Sequence, residues 1–561
     1  MLIYDMKYHI LIFIMTNQQK RWKILNKLKH GDIVETLLKN RGVKTGKQKK
    51  EFLNPTDPVK ISLKSLGIKE SAVRKAIERI KKAKKNKESV IVYGDYDADG
   101  ITATAIMWEA LHEFGLNVLP HIPDRFEEGY GLNAESVQKL KENESLCGES
   151  ERLKVIITVD NGIVAYEGIK MANKLGIDVI VVDHHTKGLK LPKAYSIIHN
   201  SVTSGSALAW FFANELSLTR GALVSGLELA AVGTIADQMP LIGVNRSIVK
   251  FGLEELNKTK RPGLLALIKD SKIESIGTYE VNYIIAPRIN AMGRLAQGID
   301  SLRFLCTKRT DKALELSKLL SKTNFDRQKI VDEVVLHVRR GVKNEKIIVL
   351  AHESYHEGVI GLAAGKLVEE FYRPAIVLSK KGDKSKASAR SISGFNIIEA
   401  IRSTGLVLEG GGHPMAAGFS IETAKIAEFA KKINTIADKL LTEEILQKKL
   451  KIDMKLNFEE INTELVKRIE SFNPTGLGNP TPTFMSEEVE VVDVRTVGRE
   501  SKHLKLKLKQ DEHVFDSIFF GGGEKYSKLS PATKIEIVYQ LEDNTWNGRK
   551  SLQLKIKDIR R

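Results

Sequence analysis

The sequence predicts an α/β protein in which a parallel-sheet domain, a helical connector, a second α/β domain and a C-terminal β-barrel follow one another. Over residues 89–240, apolar runs rich in β-branched residues alternate with helical patterns, as in a doubly wound parallel sheet. The same alternation returns after residue 347. Beyond residue 451 come five short segments with period-two alternation. These favour a small barrel, with an OB-fold as the leading candidate and a β-sandwich as the alternative.

The chain of 561 residues is long enough for about three or four domains. We expect an N-terminal extension and lead-in over residues 1–70, the first α/β domain over 71–246, and a helical region with a connecting helix over 247–343. The second α/β domain is expected over 344–449 and the barrel over 450–561. Residues 1–14 are interpreted as an upstream start or a loose extension, because Met15 is an equally good beginning.

The composition favours a nucleic-acid partner in a reducing compartment. The net charge is +18, and a surface this basic attracts polyanions, although lysine-rich genomes produce similar excesses. The basic run over residues 74–87 is more simply a solvated helix face. Two cysteines, Cys147 and Cys306, exclude a disulfide framework and are expected to pack in the interior. We therefore expect a cytoplasmic protein without a membrane partner.

Three carboxylates follow the first predicted strand, in the segment VIVYGDYDADGIT of residues 90–102. Asp95, Asp97 and Asp99 stand at alternate positions before a predicted helix over 101–114. Three carboxylates on a tight turn repel one another unless cations lie among them. An EF-hand is excluded, because its twelfth loop position would be Ile106 and a strand precedes the loop. The segment therefore predicts a metal site of another kind.

Two further predicted strands, over residues 154–159 and 178–182, also end in acidic residues. Asp160 follows the first, and Asp183, His184 and His185 follow the second. The carboxyl ends of parallel strands share one edge of a sheet, so these groups should converge. Oxygen ligands with one or two imidazoles suit Mn²⁺ or Mg²⁺ better than structural zinc. Asp237, at the end of a predicted helix over 227–237, is by itself more simply a cap or a surface acid.

The motifs together reproduce the series of the DHH phosphoesterase superfamily, and the chain resembles the RecJ single-strand-specific exonucleases over nearly its whole length. The resemblance implies a DHH catalytic domain, a DHHA1 domain and a terminal OB-fold. The motifs occur in the family's order: YGDYDADGITAT, HIPDRFEEGYGL, VDNG, VVDHH, AVGTIADQMPLIGVNR, APRINAMGRL, ASARSISGFNI, GGGHPMAAGFS and PTGLGNPTPTF.

The resemblance implies two divalent cations, Mn²⁺ or Mg²⁺, and a ligand set. Asp97 and Asp160 would hold the first cation, and the second would be held by Asp99, Asp160, His184 and Asp237. Asp160 would bridge the two. Many relatives carry a histidine where this chain has Tyr93, so the first cation would have fewer protein ligands. Asp95 would either take that place or orient the ligands, and Asp183 and His185 would orient the ligands or the nucleophile.

Further site residues are implied by the same resemblance. The candidate catalytic residues are Asp160, Asp183, His185 and His413. Phosphate-binding candidates are Ser388, Arg390 and the loop residues Gly411, Gly412 and His413, with a plain tight loop and a surface arginine as alternatives. Arg125 would contact a terminal 5′ phosphate, and Arg288, Asn290 and Arg294 would line the strand's path or form a helix cap with salt bridges. Tyr130 and Phe126 are base-stacking or core residues, and the alternate lysines 502, 505, 507 and 509 are a DNA-binding or a solvated strand face.

The function implied is a metal-dependent 5′-to-3′ exonuclease that degrades single-stranded DNA to 5′-mononucleotides in DNA repair and recombination. The expected state is a monomer, and single-strand-binding protein and a helicase are expected partners. The alternatives are an oligonucleotide phosphodiesterase of the nano-RNase type and a non-catalytic scaffold that binds single strands. A nucleotide-driven motor is not expected, because the sequence has no GxxxxGK[ST] loop.

Overall fold

The computed structural model describes residues 20–26, 32–142, 153–222, 224–339, 345–546 and 549–561. The interpretation of residues 1–14 and the packing of Cys147 lie outside these ranges. The chain forms two compact units. The large unit comprises Ile24–Leu320 and Lys451–Arg561, and the small unit comprises Ser321–Leu450 with residues 20–23.

The large unit contains the predicted parallel sheet, which has five strands. Val90 and Val92 pack into one apolar cluster while Ile91 and Tyr93 pack into another, so the alternate residues of this strand are buried on both faces of the sheet. Two short outer strands escaped the sequence analysis because each has four residues and is only partly buried. The strand order is Val118–His121, Ser89–Tyr93, Leu153–Val159, Asp178–Asp183 and Ser196–His199, with every neighbouring pair parallel.

Helices cover this sheet and continue into the predicted helical region. The helix predicted from residue 101 begins three residues earlier, because the Asp97 side chain caps it. No helix in the described ranges is long and apolar enough to cross a membrane. The helices are Ile33–Asn40, Gly46–Leu53, Glu70–Lys85, Ala98–Phe114, Ala134–Glu142, Tyr166–Lys174, Gly205–Leu218, Leu227–Ala236, Gly243–Leu256, Pro262–Asp270, Thr278–Glu280, the π-helical Val281–Ile285, Ala286–Leu295, Gly298–Cys306 and Thr310–Arg339.

The C-terminal part of the large unit is the predicted β-barrel. The strand Phe484–Val497 pairs with His503–Gln510 on one side and with Lys534–Trp546 on the other. This second pairing closes five strands into a barrel and confirms the OB-like prediction. Leu37, Leu38 and Phe52 from the N-terminal lead-in belong to the same apolar core as the barrel strands. The strands in spatial order are Phe484–Val497, His503–Gln510, His513–Phe519, Arg549–Arg560 and Lys534–Trp546, with Met454–Lys455 added beside the first and the helix Thr463–Glu470 preceding it in sequence.

The small unit has a five-stranded mixed sheet and confirms the second α/β domain. The glycine-rich segment 410–418, expected to be a loop, is instead a β-hairpin in which Gly411 faces Gly418 and His413 faces Ala416. In spatial order the strands are Val407–His413, Ala416–Glu422, Lys384–Arg390, Ala375–Ser379 and Ile348–His352. The helices are Ile360–Phe371, Ile397–Arg402, Ile426–Leu440 and Glu443–Leu446. The chain also has short strands at Arg21–Ile24 and Lys449–Ile452.

Candidate metal centre

The acidic residues predicted to converge do so at the carboxyl edge of the parallel sheet. Asp97 caps the helix Ala98–Phe114, and its Oδ1 accepts hydrogen bonds of 3.0 Å from the amides of Asp99 and Gly100. Asp160 follows the strand Leu153–Val159 directly, with a left-handed φ of 61°. Asp183 is the last residue of the neighbouring strand. The order of strand, acid and helix thus brings the carboxylates of distant segments to one place.

Asp99 is held from the opposite side by the start of the helix Gly205–Leu218. Its Oδ2 accepts a 2.7 Å hydrogen bond from the Gly205 amide, and its Oδ1 accepts a 3.0 Å bond from the Ser206 amide. A Cβ atom at Gly205 would lie 2.4 Å from Asp160 Oδ1, and one at Gly233 would lie 2.4 Å from Asp99 Oδ1. Two glycines therefore leave the space in which these carboxylates approach each other.

The side chains form three groups. Within each group, the potential ligand atoms lie within 4.8 Å of one another. His184 is central, since its Nε2 lies 3.1 Å from Asp160 Oδ1 and 3.8 Å from both Asp99 Oδ2 and Asp237 Oδ2. The three groups are Asp99, His184 and Asp237; Asp95, Asp97 and Asp160; and Asp160, His184 and His185.

These residues fit a divalent cation. Asp160 Oδ1 is buried and accepts no hydrogen bond, since its 3.1 Å contact with His184 Nε2 is an ion-pair distance without hydrogen-bond geometry. This is a costly state for a carboxylate unless a cation lies beside it. Carboxylate oxygens with one imidazole are the donors that Mn²⁺ and Mg²⁺ accept. Tyr93 offers no further ligand, because it is fully buried and its hydroxyl donates to the Gly131 carbonyl.

The protonation equilibria of the cluster reflect burial and mutual repulsion. Burial, and then the charge of Asp97, raise the pKa of Asp95 to about 8. Burial, and then Asp99, raise the pKa of Asp237 to about 8 and that of Asp160 well above its usual range. Burial lowers the pKa of His184. Charges crowded in this way favour bound cations, which offset the repulsion.

A hydrogen-bonded chain runs from Asp183 through His185 to Tyr130. Asp183 Oδ1 lies 2.8 Å from His185 Nδ1, and His185 Nε2 lies 3.1 Å from the Tyr130 hydroxyl. Burial by itself would raise the pKa of Asp183, but hydrogen bonds from His185 and the Ile163 amide outweigh burial and lower it. Burial opposes the charged form of His185, yet the bond to Asp183 raises its pKa to about 8. The ionised carboxylate thus fixes the orientation of the imidazole next to the cluster.

The remaining predicted site residues of the large unit surround this cluster with different contacts. The Arg125 guanidinium lies 5.0 Å from the centre of the Tyr96 ring. Asn290 Oδ1 accepts from the Ala98 amide at 2.8 Å, so Asn290 holds the first turn of the helix that carries Asp99. The positive charge of Arg294 acts on Asp97, and the guanidinium of Arg288 donates to the Ile284 carbonyl. Tyr130 and Phe126 are about half exposed, with 51% and 48% of their surfaces accessible.

The predicted phosphate-binding residues of the small unit lie on two strands, Lys384–Arg390 and Val407–His413, with the strand Ala416–Glu422 between them. Arg390 Nη1 donates to Ser388 Oγ at 3.2 Å. In the cross-strand register, His413 is opposite Ala416, and Ala416 is opposite Arg390. Residues in one such row project to the same face of the sheet, so His413 and Arg390 share a face. A Cβ at Gly361, at the start of a helix, would lie 2.9 Å from Ser388 Oγ.

The sequence analysis missed the helix start at Gly205 and Ser206 that holds Asp99. A signal was present, since Ser204 is a favourable cap before a long apolar run and its side chain accepts from the Ala207 amide. What the local pattern could not indicate was the partner, because Asp99 lies 106 residues earlier in the chain.

Comparison with known proteins places the chain in a family. Residues 89–234 match the N-terminal domain of the DHH family, 344–439 match the DHHA1 domain and 452–558 match the RecJ OB domain. The single-stranded-DNA-specific exonuclease RecJ of Bacillus subtilis (strain 168) is 36% identical over 97% of this chain and 70% of that protein.

Two crystal structures of RecJ from Thermus thermophilus are similar to the chain. The complex with Mn²⁺ superposes with a TM-score of 0.82 at 27% identity, over 96% of this chain and 79% of the other. The complex with Mg²⁺ gives a TM-score of 0.74 at 26% identity, over 96% and 78%. Given its domain matches, the identity to a curated relative and the convergence of its acidic residues, the chain belongs to the RecJ family of single-stranded-DNA-specific exonucleases.

Proposed function

We propose that this chain is a metal-dependent exonuclease that degrades single-stranded DNA from the 5′ end and releases 5′-mononucleotides. The observation that carries the proposal is the meeting of Asp99, Asp160, His184 and Asp237 around a buried carboxylate oxygen that has no hydrogen-bond partner. Membership of the RecJ family supports the choice of single-stranded DNA as substrate.

We assign Asp97 and Asp160 to one divalent cation, and Asp99, Asp160, His184 and Asp237 to the other. Asp95 is assigned beside Asp97, because these two and Asp160 form one ligand group. Divalent cations bound there would offset the negative charge of the phosphodiester oxygens and make the attacking water more acidic. Asp160 is shared by both sets, so its loss costs more activity than the loss of a ligand to one cation.

Side chains around the cluster are proposed to position the substrate and the His185 ring. Asp183 holds the His185 ring through its Nδ1, which leaves Nε2 and the Tyr130 hydroxyl on the exposed side. Arg125 is proposed to bind the terminal 5′ phosphate. Arg288, Asn290 and Arg294 are proposed to position the nucleotides that follow, Asn290 through its bond to the Ala98 amide.

The small unit is proposed to bind phosphate through Ser388, Arg390 and His413. The Arg390 guanidinium is directed by Ser388 Oγ, and guanidinium groups grip phosphate through paired hydrogen bonds. Gly411 and Gly412 on the same hairpin leave backbone amides accessible to an anion. His413 is the proposed catalytic group of this unit.

The biological setting is proposed on the resemblance to the RecJ family. We propose that the enzyme acts as a monomer in the cytoplasm, in DNA repair and recombination, with single-strand-binding protein and a helicase as partners. The domain limits proposed are 71–246 for the catalytic domain, 247–343 for the helical region, 344–449 for the DHHA1 domain and 450–561 for the barrel, after a lead-in over 1–70.

The test is the degradation of one oligonucleotide labelled at either its 5′ or its 3′ end, with Mn²⁺ present. The wild-type protein should release 5′-labelled mononucleotide first, and Asp160→Asn should be at least roughly 10³-fold slower. The control is Asp383→Asn, which changes an exposed aspartate of the small unit. First release from the 3′ end would refute the polarity, and a fully active Asp160→Asn variant would refute the site.

A further inference from the structure

Two tyrosines lie side by side on the surface of the large unit, outside the residues used above. Tyr279 and Tyr283 are 63% and 67% exposed. Their ring centres are 4.8 Å apart and the ring planes make an angle of 35°. Both lie on the helical segment formed by Thr278–Glu280 and Val281–Ile285. Two aromatic rings held together in water mark a place where a further ring or an apolar group docks.

Hydrogen bonds tie this segment to the metal centre on one side and to the barrel on the other. Asn282, between the two tyrosines, accepts a 2.7 Å hydrogen bond from the side chain of Gln238, the residue after the candidate ligand Asp237. Thr278 donates a 2.9 Å bond to the carbonyl of Thr475, in the segment that leads to the first barrel strand. The tyrosine pair therefore lies between the candidate metal centre and the segment that leads into the barrel.

On the Tyr279 side of the pair, the nearby charges favour contact of the protein with the bases of a DNA strand over contact with its phosphates. The groove beside Tyr279 is lined by Glu254, Glu280 and Glu470, against one lysine, Lys250. These carboxylates repel a phosphate backbone. On the Tyr283 side, the Arg288 guanidinium donates a hydrogen bond to the carbonyl of Ile284, the residue after Tyr283, so a cation lies along the backbone on that side.

We propose that Tyr279 and Tyr283 form a stacking platform for nucleobases of the single-stranded DNA whose end is in the metal centre. The proposal rests on the proposed exonuclease function and adds to it a surface that the strand occupies on the 3′ side of the scissile bond. Aromatic stacking tolerates every base, because each base has a π-face. Such a platform would hold the strand without sequence preference while successive nucleotides are removed.

Binding in the uncleaving Asp160→Asn background tests this proposal. The double change Tyr279→Leu with Tyr283→Leu keeps apolar side chains but removes the aromatic faces, whereas Tyr279→Phe with Tyr283→Phe keeps those faces. The control is Phe325→Leu, which replaces an aromatic residue of the small unit that is 65% exposed. Fluorescence anisotropy with an oligothymidylate gives the affinities, and melting curves check that each variant is folded.

The leucine pair should bind roughly 10-fold more weakly, by the usual strength of base–aromatic stacking, while the phenylalanine pair and Phe325→Leu should match the parent. A 2-aminopurine placed at successive positions should be quenched at one or two positions in the parent and remain bright there in the leucine pair. An abasic site at that position should reduce the parent's affinity to that of the leucine pair.

Equal affinity of the leucine pair and the parent, or quenching that does not depend on the two tyrosines, would overturn the platform. The exonuclease assay on the wild-type protein separates this result from a failure of the proposed function. If wild-type protein degrades single strands while the leucine pair binds normally, the platform alone is wrong. If wild-type protein leaves single strands intact, the proposed function is wrong.

Discussion

Removing the guanidinium of Arg246 should loosen the connection between the barrel and the helix Gly243–Leu256. Arg246 is 1% exposed and has no carboxylate within ion-pair distance among the described residues. The guanidinium carbon of Arg246 lies over the Phe52 ring, 4.1 Å from the ring centre. Its N–H groups donate five hydrogen bonds of 2.7–3.1 Å to backbone carbonyls of Phe52, Ser471, Phe472, Asn473 and Pro474.

The size of the effect can be worked out from these bonds. The carbonyls of Phe472 and Pro474 also accept from the Asn479 side chain, at 2.7 and 3.0 Å, so they keep a donor in an Arg246→Met variant. The three carbonyls of Phe52, Ser471 and Asn473 lose theirs, at about 1–3 kcal/mol each. Part of this loss is offset, because burial, with the nearby Arg41, already lowers the pKa of Arg246 to about 10 and so penalises its charge. We expect a net destabilisation of about 3–5 kcal/mol.

Hydrogen exchange measures this local free energy directly. The amides of the helix Thr463–Glu470 and of the segment after it should exchange roughly 10²- to 4 × 10³-fold faster in Arg246→Met. Arg246→Lys should recover only part of the loss, because an ammonium group cannot reach five carbonyls. The control is Arg303→Met, whose side chain is 63% exposed and whose loss should change stability by less than about 0.5 kcal/mol. Exchange in Arg246→Met within about threefold of the wild type would refute the reasoning.

Three further predictions concern the metal centre and the sheet. Mn²⁺ at about 100 times its dissociation constant should stabilise the wild-type protein by about 2.7 kcal/mol. The stabilisation should appear as a rise in melting temperature, and the Asp160→Asn variant should largely lack this rise. An equal rise in both proteins would place the cation elsewhere. Gly205→Ala should lower exonuclease activity on the order of 10²-fold, because the new Cβ would lie 2.4 Å from Asp160 Oδ1. The control Gly365→Ala should retain activity, because a Cβ at Gly365 meets only open space. Burial would raise the pKa of Glu88, but hydrogen bonds from Asn86 and Arg79 lower it, so its ion pair stabilises the fold above the unfolded pKa and is lost as the pH falls below about 4. Glu88→Gln should therefore cost about 1–2 kcal/mol at about pH 7 and nothing at about pH 3 in denaturant titrations; a constant difference would contradict the ion-pair explanation.

The convergence of the acidic residues was predictable because it depends on a rule of topology. Asp95 and Asp160 follow strands of strongly apolar, β-branched residues, and Asp183 ends another such strand. Parallel strands present their carboxyl ends at one edge of the sheet. Asp237 could not be placed in this way, because it ends a helix and helix ends point in many directions. Its approach to His184 is decided by how that helix packs on its neighbours.

The glycine hairpin of the small unit was not predictable from local pattern. Gly410, Gly411 and Gly412 have no side chains, so the strand Val407–His413 shows no alternation of apolar and polar residues. Its partner strand supplies the missing information through cross-strand pairing, as Gly411 faces Gly418. A Cβ at Gly412 would lie 2.3 Å from the Ala416 carbonyl oxygen, so the glycine permits a close approach of two strands rather than a loop.

Arg246 shows the same limit for a charged residue. In the sequence GVNR it is typical of an exposed helix face, and only the carbonyls of Ser471 and Asn473, more than 220 positions later, explain its burial. The segment that contains it also carries Asp237, and between them the Leu241 amide donates a 2.7 Å hydrogen bond to the Leu477 carbonyl of the same distant loop. Ten residues therefore connect a candidate metal ligand to the loop that precedes the first barrel strand, through hydrogen bonds to Ser471, Asn473 and Leu477.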